Sequence, residues 1–201
     1  MKYILMLLVL AGLAGCKNNS STVSAGNIDS SAKPPSDTAV KSFFPVIDFL
    51  KGEISAVDSL PVGILKYTTR GKKTDSAYIK PEEFHRLANE FLPAELHSPA
   101  FEKEFNETSF FDKSTNSATF LYTTKNRQLS LQRVDVLSAS GEVYDKIKSI
   151  YIERIARSGD TAITKKLYWK PERNFQMSTL KSVGSGEPAM ELIKVVWDNR
   201  D

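Results

Sequence analysis

The sequence is almost free of cysteine and histidine. Among its 201 residues are one cysteine, Cys16, and two histidines, His85 and His97. A single thiol cannot form a disulfide framework or a cysteine metal site, and two histidines are too few for a histidine-rich one. The 27 basic residues are nearly balanced by 24 acidic ones, so the charge does not indicate a nucleic-acid partner. No cofactor is expected.

The first residues have the three parts of an export signal. Lys2 supplies a positive charge, residues 4–13 form an apolar run too short to span a bilayer, and two small residues follow. The segment ends in Leu13-Ala14-Gly15-Cys16, which resembles the lipobox of bacterial lipoproteins. That resemblance implies that diacylglycerol is attached to the Cys16 thiol and that the chain is cut before it. The alternative is an ordinary secretory signal with a chance cysteine.

The residues after Cys16 bear on its destination. In the sorting rule of bacterial lipoproteins, an aspartate after the cysteine retains the protein in the inner membrane, and this chain has Lys17. Asn18-Asn19-Ser20-Ser21 lacks the acidic pair of some surface-exported lipoproteins. The resemblance therefore implies a cell-envelope protein that is lipid-anchored in the outer membrane and faces the periplasm.

Composition divides the chain into three parts. Residues 1–15 read as the signal peptide. Residues 16–40 comprise the lipidated cysteine and a serine-rich tether without aromatic residues or leucine, which cannot bury enough apolar surface to become ordered. Residues 41–201 are long enough for a single domain with a substantial core.

Apolar periodicity predicts an α+β domain. A first helix should begin near Ser42, residues 64–69 and 75–80 should form a hairpin, and Pro81 should begin a second helix. From Ser117 onward, alternating apolar residues and recurrent turn signals predict about six antiparallel strands. We therefore expect N-terminal helices packed on a curved antiparallel sheet with a C-terminal β-meander. Lipoprotein-carrier proteins share that shape, by analogy of architecture alone.

Two segments of the meander are ambiguous. Residues 143–155 fit a helix loosely, but their strand-like neighbours favour a strand from about Lys146. The apolar phase slips by one residue before Val134, which predicts a bulge near Gln132 or Arg133.

Seven of the eleven phenylalanines lie between Phe84 and Phe120. Ser98-Pro99 resembles a helix start, and Phe101 and Phe105 would share a face of a short helix. One interpretation is an apolar cavity for an acyl chain, with Phe101, Phe105 and Phe111 as candidate ligand-binding residues. The alternative is that these rings form the core.

The segment between Lys125 and Lys181 contains twelve basic and six acidic residues. Such strands could contact anionic lipid headgroups or an acidic envelope polymer, with Lys165, Lys166 and Lys170 as the candidate contact residues. The alternative is a solvated sheet face whose charges prevent edge pairing.

Thr38 is a candidate for glycosylation. Asp37-Thr38-Ala39 resembles the O-glycan acceptor of one group of Gram-negative bacteria, although Asp followed by Thr is also ordinary turn chemistry.

Three functional hypotheses follow for the domain. The first is a non-enzymatic envelope lipoprotein, anchored in the membrane through Cys16, that binds a partner protein or supports an envelope assembly. The second is a lipid or acyl-chain carrier that uses the phenylalanine-rich region. The third, a hydrolase of envelope polymers, lacks a recognisable Ser, His and Asp set, and neighbouring glutamates such as Glu82 and Glu83 are explained by the helix dipole.

Overall fold

The computed structural model describes residues 43–97, 99–139 and 146–198. Cys16, the tether, Thr38, Ser42 and Ser98 lie outside the described residues. Lys41–Asp201 form one compact unit. Its helices are α1 (Val46–Asp58), α2 (Pro81–Ala88) and α3 (Phe101–Glu104), with 3₁₀ turns at Asn89–Phe91 and Ala94–His97. Its strands are β1 (Ile64–Arg70), β2 (Lys73–Ile79), β3 (Phe105–Asp112), β4 (Ser117–Thr124), β5 (Leu131–Ala139), β6 (Ile147–Ser158), β7 (Thr161–Lys170), β8 (Asn174–Val183) and β9 (Ala189–Val196).

The nine strands form one antiparallel sheet in the order β2-β1-β9-β8-β7-β6-β5-β4-β3. Strands β3 to β9 follow one another as neighbours, and the first hairpin joins the sheet by pairing β1 with β9. Strands β2 and β3 therefore lie at the two edges of the sheet.

The hydrophobic core lies on one face of the sheet. Side chains at alternate strand positions point to the same face, so Leu167 and Trp169 of β7 are fully buried beside Phe175 of β8. The apolar side of α1, represented by Leu50, and that of α2, represented by Phe84, belong to the same buried cluster. Trp169 and Phe175 stack with ring centroids 5.3 Å apart.

The prediction of an α+β domain with helices packed on a sheet is wrong. Strands account for 53% and helices for 21% of the structure, which is mostly a single nine-stranded sheet with a few short helices. The main error concerns β3, because Phe101 and Phe105 are four residues apart, as on a helix. In the structure α3 ends at Glu104, and Phe105 is already extended and begins the edge strand.

Several local predictions are confirmed. The first hairpin has its turn at Gly71, which has a positive φ of 58°. Helix α2 begins at Pro81. The ambiguous segment forms a strand, β6, which begins at Ile147. The pairing of β5 with β6 shifts register between Leu131 and Arg133, where the bulge was expected. Among the described residues, the helices are too short or too polar to cross a membrane.

Candidate functional site

Phe101 and Phe105 lie in the core, whereas Phe111 is 46% exposed. The rings of Phe101 and Phe105 are 4.5 Å apart, and Phe43 contacts Phe101 edge-on at 5.4 Å. Phe111 lies on the edge strand β3 and pairs with Ala118 of β4. It is six residues from Phe105, which is about 20 Å along an extended strand. The structure does not bring the three candidate residues together around one cavity.

A depression of about 500 Å³ lies beside Phe101, between the start of α1, the second 3₁₀ turn and α3. Phe43, Phe44 and Leu96 contribute to its wall. The same rings are used in packing, since Phe43 also contacts Tyr122 at 4.9 Å and the Phe44 amide donates to the Tyr122 hydroxyl at 3.1 Å. The depression is thus the outer surface of a packed aromatic cluster.

The three candidate lysines divide between the two faces of the sheet. Lys165 shares the face of buried Leu167, and its Nζ lies 2.8 Å from Oε2 of Glu90, a carboxylate that Arg154 also approaches at 3.4 Å. Lys166 and Lys170 point to the opposite face and are exposed. Lys165 is therefore part of an ion-pair cluster, and Lys166 and Lys170 are open to solvent.

Lys170 belongs to a groove that the sequence did not reveal, here called the rim groove. It measures about 830 Å³ and lies where α1, the end of β5, the start of β6 and the turn between β7 and β8 meet. At the start of β6, Lys146 and Lys148 are exposed and alternate with Ile147 and Ser149, which are buried. The alternation directs two ammonium groups away from the buried side chains of Ile147 and Ser149.

Glu53 of α1 fixes one wall of the rim groove. Its Oε2 accepts a hydrogen bond from the indole Nε1–H of Trp169 at 3.3 Å and one from the backbone N–H of Glu172 at 2.8 Å. Glu172 has a φ of 62°, an uncommon conformation for a residue with a side chain. The Glu53 carboxylate therefore connects the core to the β7–β8 turn and stabilises the shape of that turn.

The rim groove carries an excess of positive charge. Its lining includes Lys146, Lys148, Lys170 and Arg173 against the carboxylates of Glu53 and Glu172. Lys148 donates to the Ser117 hydroxyl at 2.6 Å, which is a neutral partner. The ion pairs found among the described residues do not include Lys146, Lys148 or Lys170. A negatively charged ligand would therefore meet ammonium groups that form no ion pair with a described carboxylate.

Two of the described carboxylates, those of Glu83 and Asp112, are held by structural partners. Glu83 is ion-paired with Lys66. The hydroxyl and the backbone N–H of Ser114, together with the Thr115 hydroxyl, lower the pKa of Asp112 to about 2. A general acid at neutral pH needs a raised pKa instead.

The two histidines lie near the surface. The Nε2 atom of His85 is 2.9 Å from Oδ1 of Asp58, and both side chains are well exposed. His97 belongs to the second 3₁₀ turn. Within the described residues, the histidines and carboxylates do not form a group that could hold a metal ion.

A polar network lies on the sheet face opposite the core, and sequence reasoning missed it. Arg133 donates from Nε and Nη2 to the two carboxylate oxygens of Asp135, both at 2.7 Å. Its guanidinium also lies 5.8 Å from the centre of the Tyr151 ring, and the Tyr151 hydroxyl donates to Glu153 at 3.3 Å. Burial raises the pKa of Tyr151 to about 12.

The two edge strands differ in their exposed side chains. Strand β3 presents Phe110, 56% exposed, and Phe111, which point to opposite faces because they are consecutive. Strand β2 instead places Lys73 and Asp75 at its edge, which are charges of the kind that discourage strand pairing. In the described part of the sheet, β3 therefore exposes two phenylalanine rings, one on each face, whereas β2 exposes these charges and the ring of Tyr78.

Comparisons with known proteins give no family for the chain. No protein family model matches it, and neither a curated protein nor a solved structure is significantly similar to it.

Proposed function

We propose that this chain is a lipid-anchored protein of the bacterial envelope and that its folded domain acts by binding a partner protein rather than by catalysis. The anchor is Cys16, on the basis of the lipobox-like Leu13-Ala14-Gly15-Cys16. Outer-membrane attachment with the domain facing the periplasm follows from Lys17 under the same resemblance.

The observation that carries the binding proposal is the edge strand β3. An edge strand has backbone N–H and C=O groups directed away from its one neighbour, and these can pair with an extended segment of another chain. Phe110 and Phe111 would then cover the added strand from both faces of the sheet. The proposed partner is an envelope protein that offers an extended, apolar segment.

The exposure of the phenylalanines favours a partner protein over an internal acyl-chain site. Phe101 and Phe105, which would have lined such a cavity, are buried and packed in the core. Phe110 and Phe111 are each about half exposed to solvent. Exposed aromatic side chains are common in protein interfaces, where they supply much of the binding energy.

Photo-crosslinking in cells tests the partner proposal. A photoreactive phenylalanine analogue would replace Phe110 on β3, and in a matched control it would replace Tyr78 on β2, which is 77% exposed. We expect one defined adduct band from position 110 and none from position 78. Equal adducts at the two positions, or none at either, would contradict docking at β3.

Membrane fractionation tests the anchor separately. Cys16→Ser should move the protein from the membrane to the soluble fraction, because the thiol that would carry the lipid is lost. A Cys16→Ser protein that still fractionates with the membrane would refute the anchor proposal and leave the β3 proposal standing.

A further inference from the structure

We propose that the rim groove binds an anionic amphiphile, namely an acyl chain that ends in a phosphate or a carboxylate. This inference is independent of the partner proposed for β3, which lies at an edge of the sheet and contributes no residue to the groove.

The charge of the groove selects the sign of the ligand. Lys146 and Lys170 are exposed at its rim and are absent from the ion pairs of the described residues. One of the two carboxylates of the lining, that of Glu53, already accepts hydrogen bonds from Trp169 and Glu172. An anionic head placed between the two lysines would gain attraction from both without displacing an ion pair of the described residues.

The rest of the lining selects the body of the ligand. Phe49, Leu137 and Pro171 are partly exposed and supply apolar surface, whereas Ile147 belongs to the core and contributes little. The neutral hydrogen-bonding side chains of the lining are those of Ser149 and Tyr168. An acyl chain needs no hydrogen-bonding partner, so it suits the apolar part of this lining. The volume of about 830 Å³ lies within the range of small-molecule sites.

Trp169 gives the groove a built-in reporter. Its indole N–H donates to Glu53, and Glu53 lines the groove. A ligand that changes the environment of the Glu53 carboxylate should shift the indole N–H resonance of Trp169 in an NMR spectrum. The only other tryptophan, Trp197, lies outside the lining and provides an internal comparison.

The experiment is an NMR titration of the full chain with Cys16→Ser, so that no attached lipid competes. The probes are dodecyl phosphate and octyl phosphate as monomers, inorganic phosphate, and a cationic dodecyl ammonium salt. We expect dodecyl phosphate to shift the Trp169 resonance and to bind at least tenfold more tightly than octyl phosphate. Each buried methylene strengthens binding about fourfold, so even partial burial of the four additional methylenes gives that factor.

Paired lysine variants test the position of the site. Lys146→Gln with Lys170→Gln should weaken dodecyl phosphate binding at least tenfold, because two attractive charges are removed from the head. The matched control is Lys72→Gln with Lys73→Gln, which removes the same charge at the β1–β2 turn and should leave the affinity within twofold. A cationic probe that binds as well as dodecyl phosphate, or equal losses in the two double variants, would overturn the proposal.

Two further outcomes decide the class of ligand. Inorganic phosphate that binds as tightly as dodecyl phosphate would show that the acyl chain contributes nothing, and it would overturn the amphiphile. A soluble acidic polysaccharide that binds more tightly would do the same. Binding of the monomer together with phosphatidylglycerol vesicles would support a membrane lipid as the source, and binding of the monomer alone would support a free amphiphile.

Discussion

Replacing Phe105 with alanine tests whether the phenylalanine-rich region is a core or a ligand cavity. Phe105 is 3% exposed, and its ring lies 4.5 Å from that of Phe101. Removing the ring forfeits about 1.5–3 kcal/mol of burial and about 0.5–1.5 kcal/mol from the aromatic pair. Because the cavity left by the ring adds a further cost, we expect Phe105→Ala to lower the free energy of unfolding by about 3–5 kcal/mol, as is usual for buried phenylalanines.

Urea unfolding followed by tryptophan fluorescence measures this loss, because Trp169 and Trp197 are both buried. Phe105→Leu removes less volume and should cost about 1–1.5 kcal/mol, so it remains measurable even if the alanine variant is largely unfolded. Phe111→Ala on the same strand should cost less than about 1 kcal/mol, since that ring is half in solvent. A Phe105→Ala protein as stable as the Phe111→Ala protein would refute a packed core here and would favour a cavity.

Three further predictions concern polar groups. Tyr151 should ionise near pH 12, because burial raises its pKa. Its contribution to stability should be complete below pH 10 and should fall as the pH rises towards 12. Tyrosinate absorbance measures the ionisation, and Tyr151→Phe should remove the ionisation step near pH 12. The Asp112 carboxyl should titrate near pH 2 in an NMR titration. Its ionised form therefore stabilises the β3–β4 turn above about pH 4, and this stabilisation is lost as the pH falls. Ser114→Ala should raise the pKa of Asp112. Glu53→Ala should cost about 1–3 kcal/mol in urea unfolding, because the indole N–H of Trp169 loses its acceptor; a cost indistinguishable from zero would mean that water replaces the carboxylate.

The elements that could be predicted are those with a strong local signal. The first hairpin has a glycine at its turn, and α2 begins with Pro81 followed by two glutamates in its first turn. Strands β4 to β9 lie in the segment where about six strands were predicted. That prediction was possible because apolar and polar residues alternate along parts of this segment and turn signals recur between the strands. Such signals require only neighbours in the sequence.

The prediction of the fold class was wrong because the local sequence signals conflict in β3 and are absent for the β1–β9 pairing. Phe101 and Phe105 have helical spacing, and Phe110 and Phe111 break the alternation that would have marked β3 as a strand. An edge strand buries little, so its sequence is under weak constraint to alternate. The pairing of β1 with β9 depends on residues far apart in the chain and leaves no local signal.

The candidate sites show the same limit. Alternation alone separates Lys165 from Lys166 and Lys170, so their positions on opposite faces could have been read from the sequence. The rim groove could not, because it joins Glu53 of α1 to the start of β6 and to the turn after β7. The excess of basic residues between Lys125 and Lys181 was the one signal in the sequence that pointed to this region.

The pairing of the first hairpin with the last strand has a consequence for how the protein reaches its native state. Arg70 donates from Nε to Glu191 across 121 residues of sequence, so this part of the sheet can close only after β9 has been synthesised. Contacts between such distant residues slow folding, typically to milliseconds or seconds. A truncation within β9 should therefore leave the first hairpin without its partner strand in the sheet.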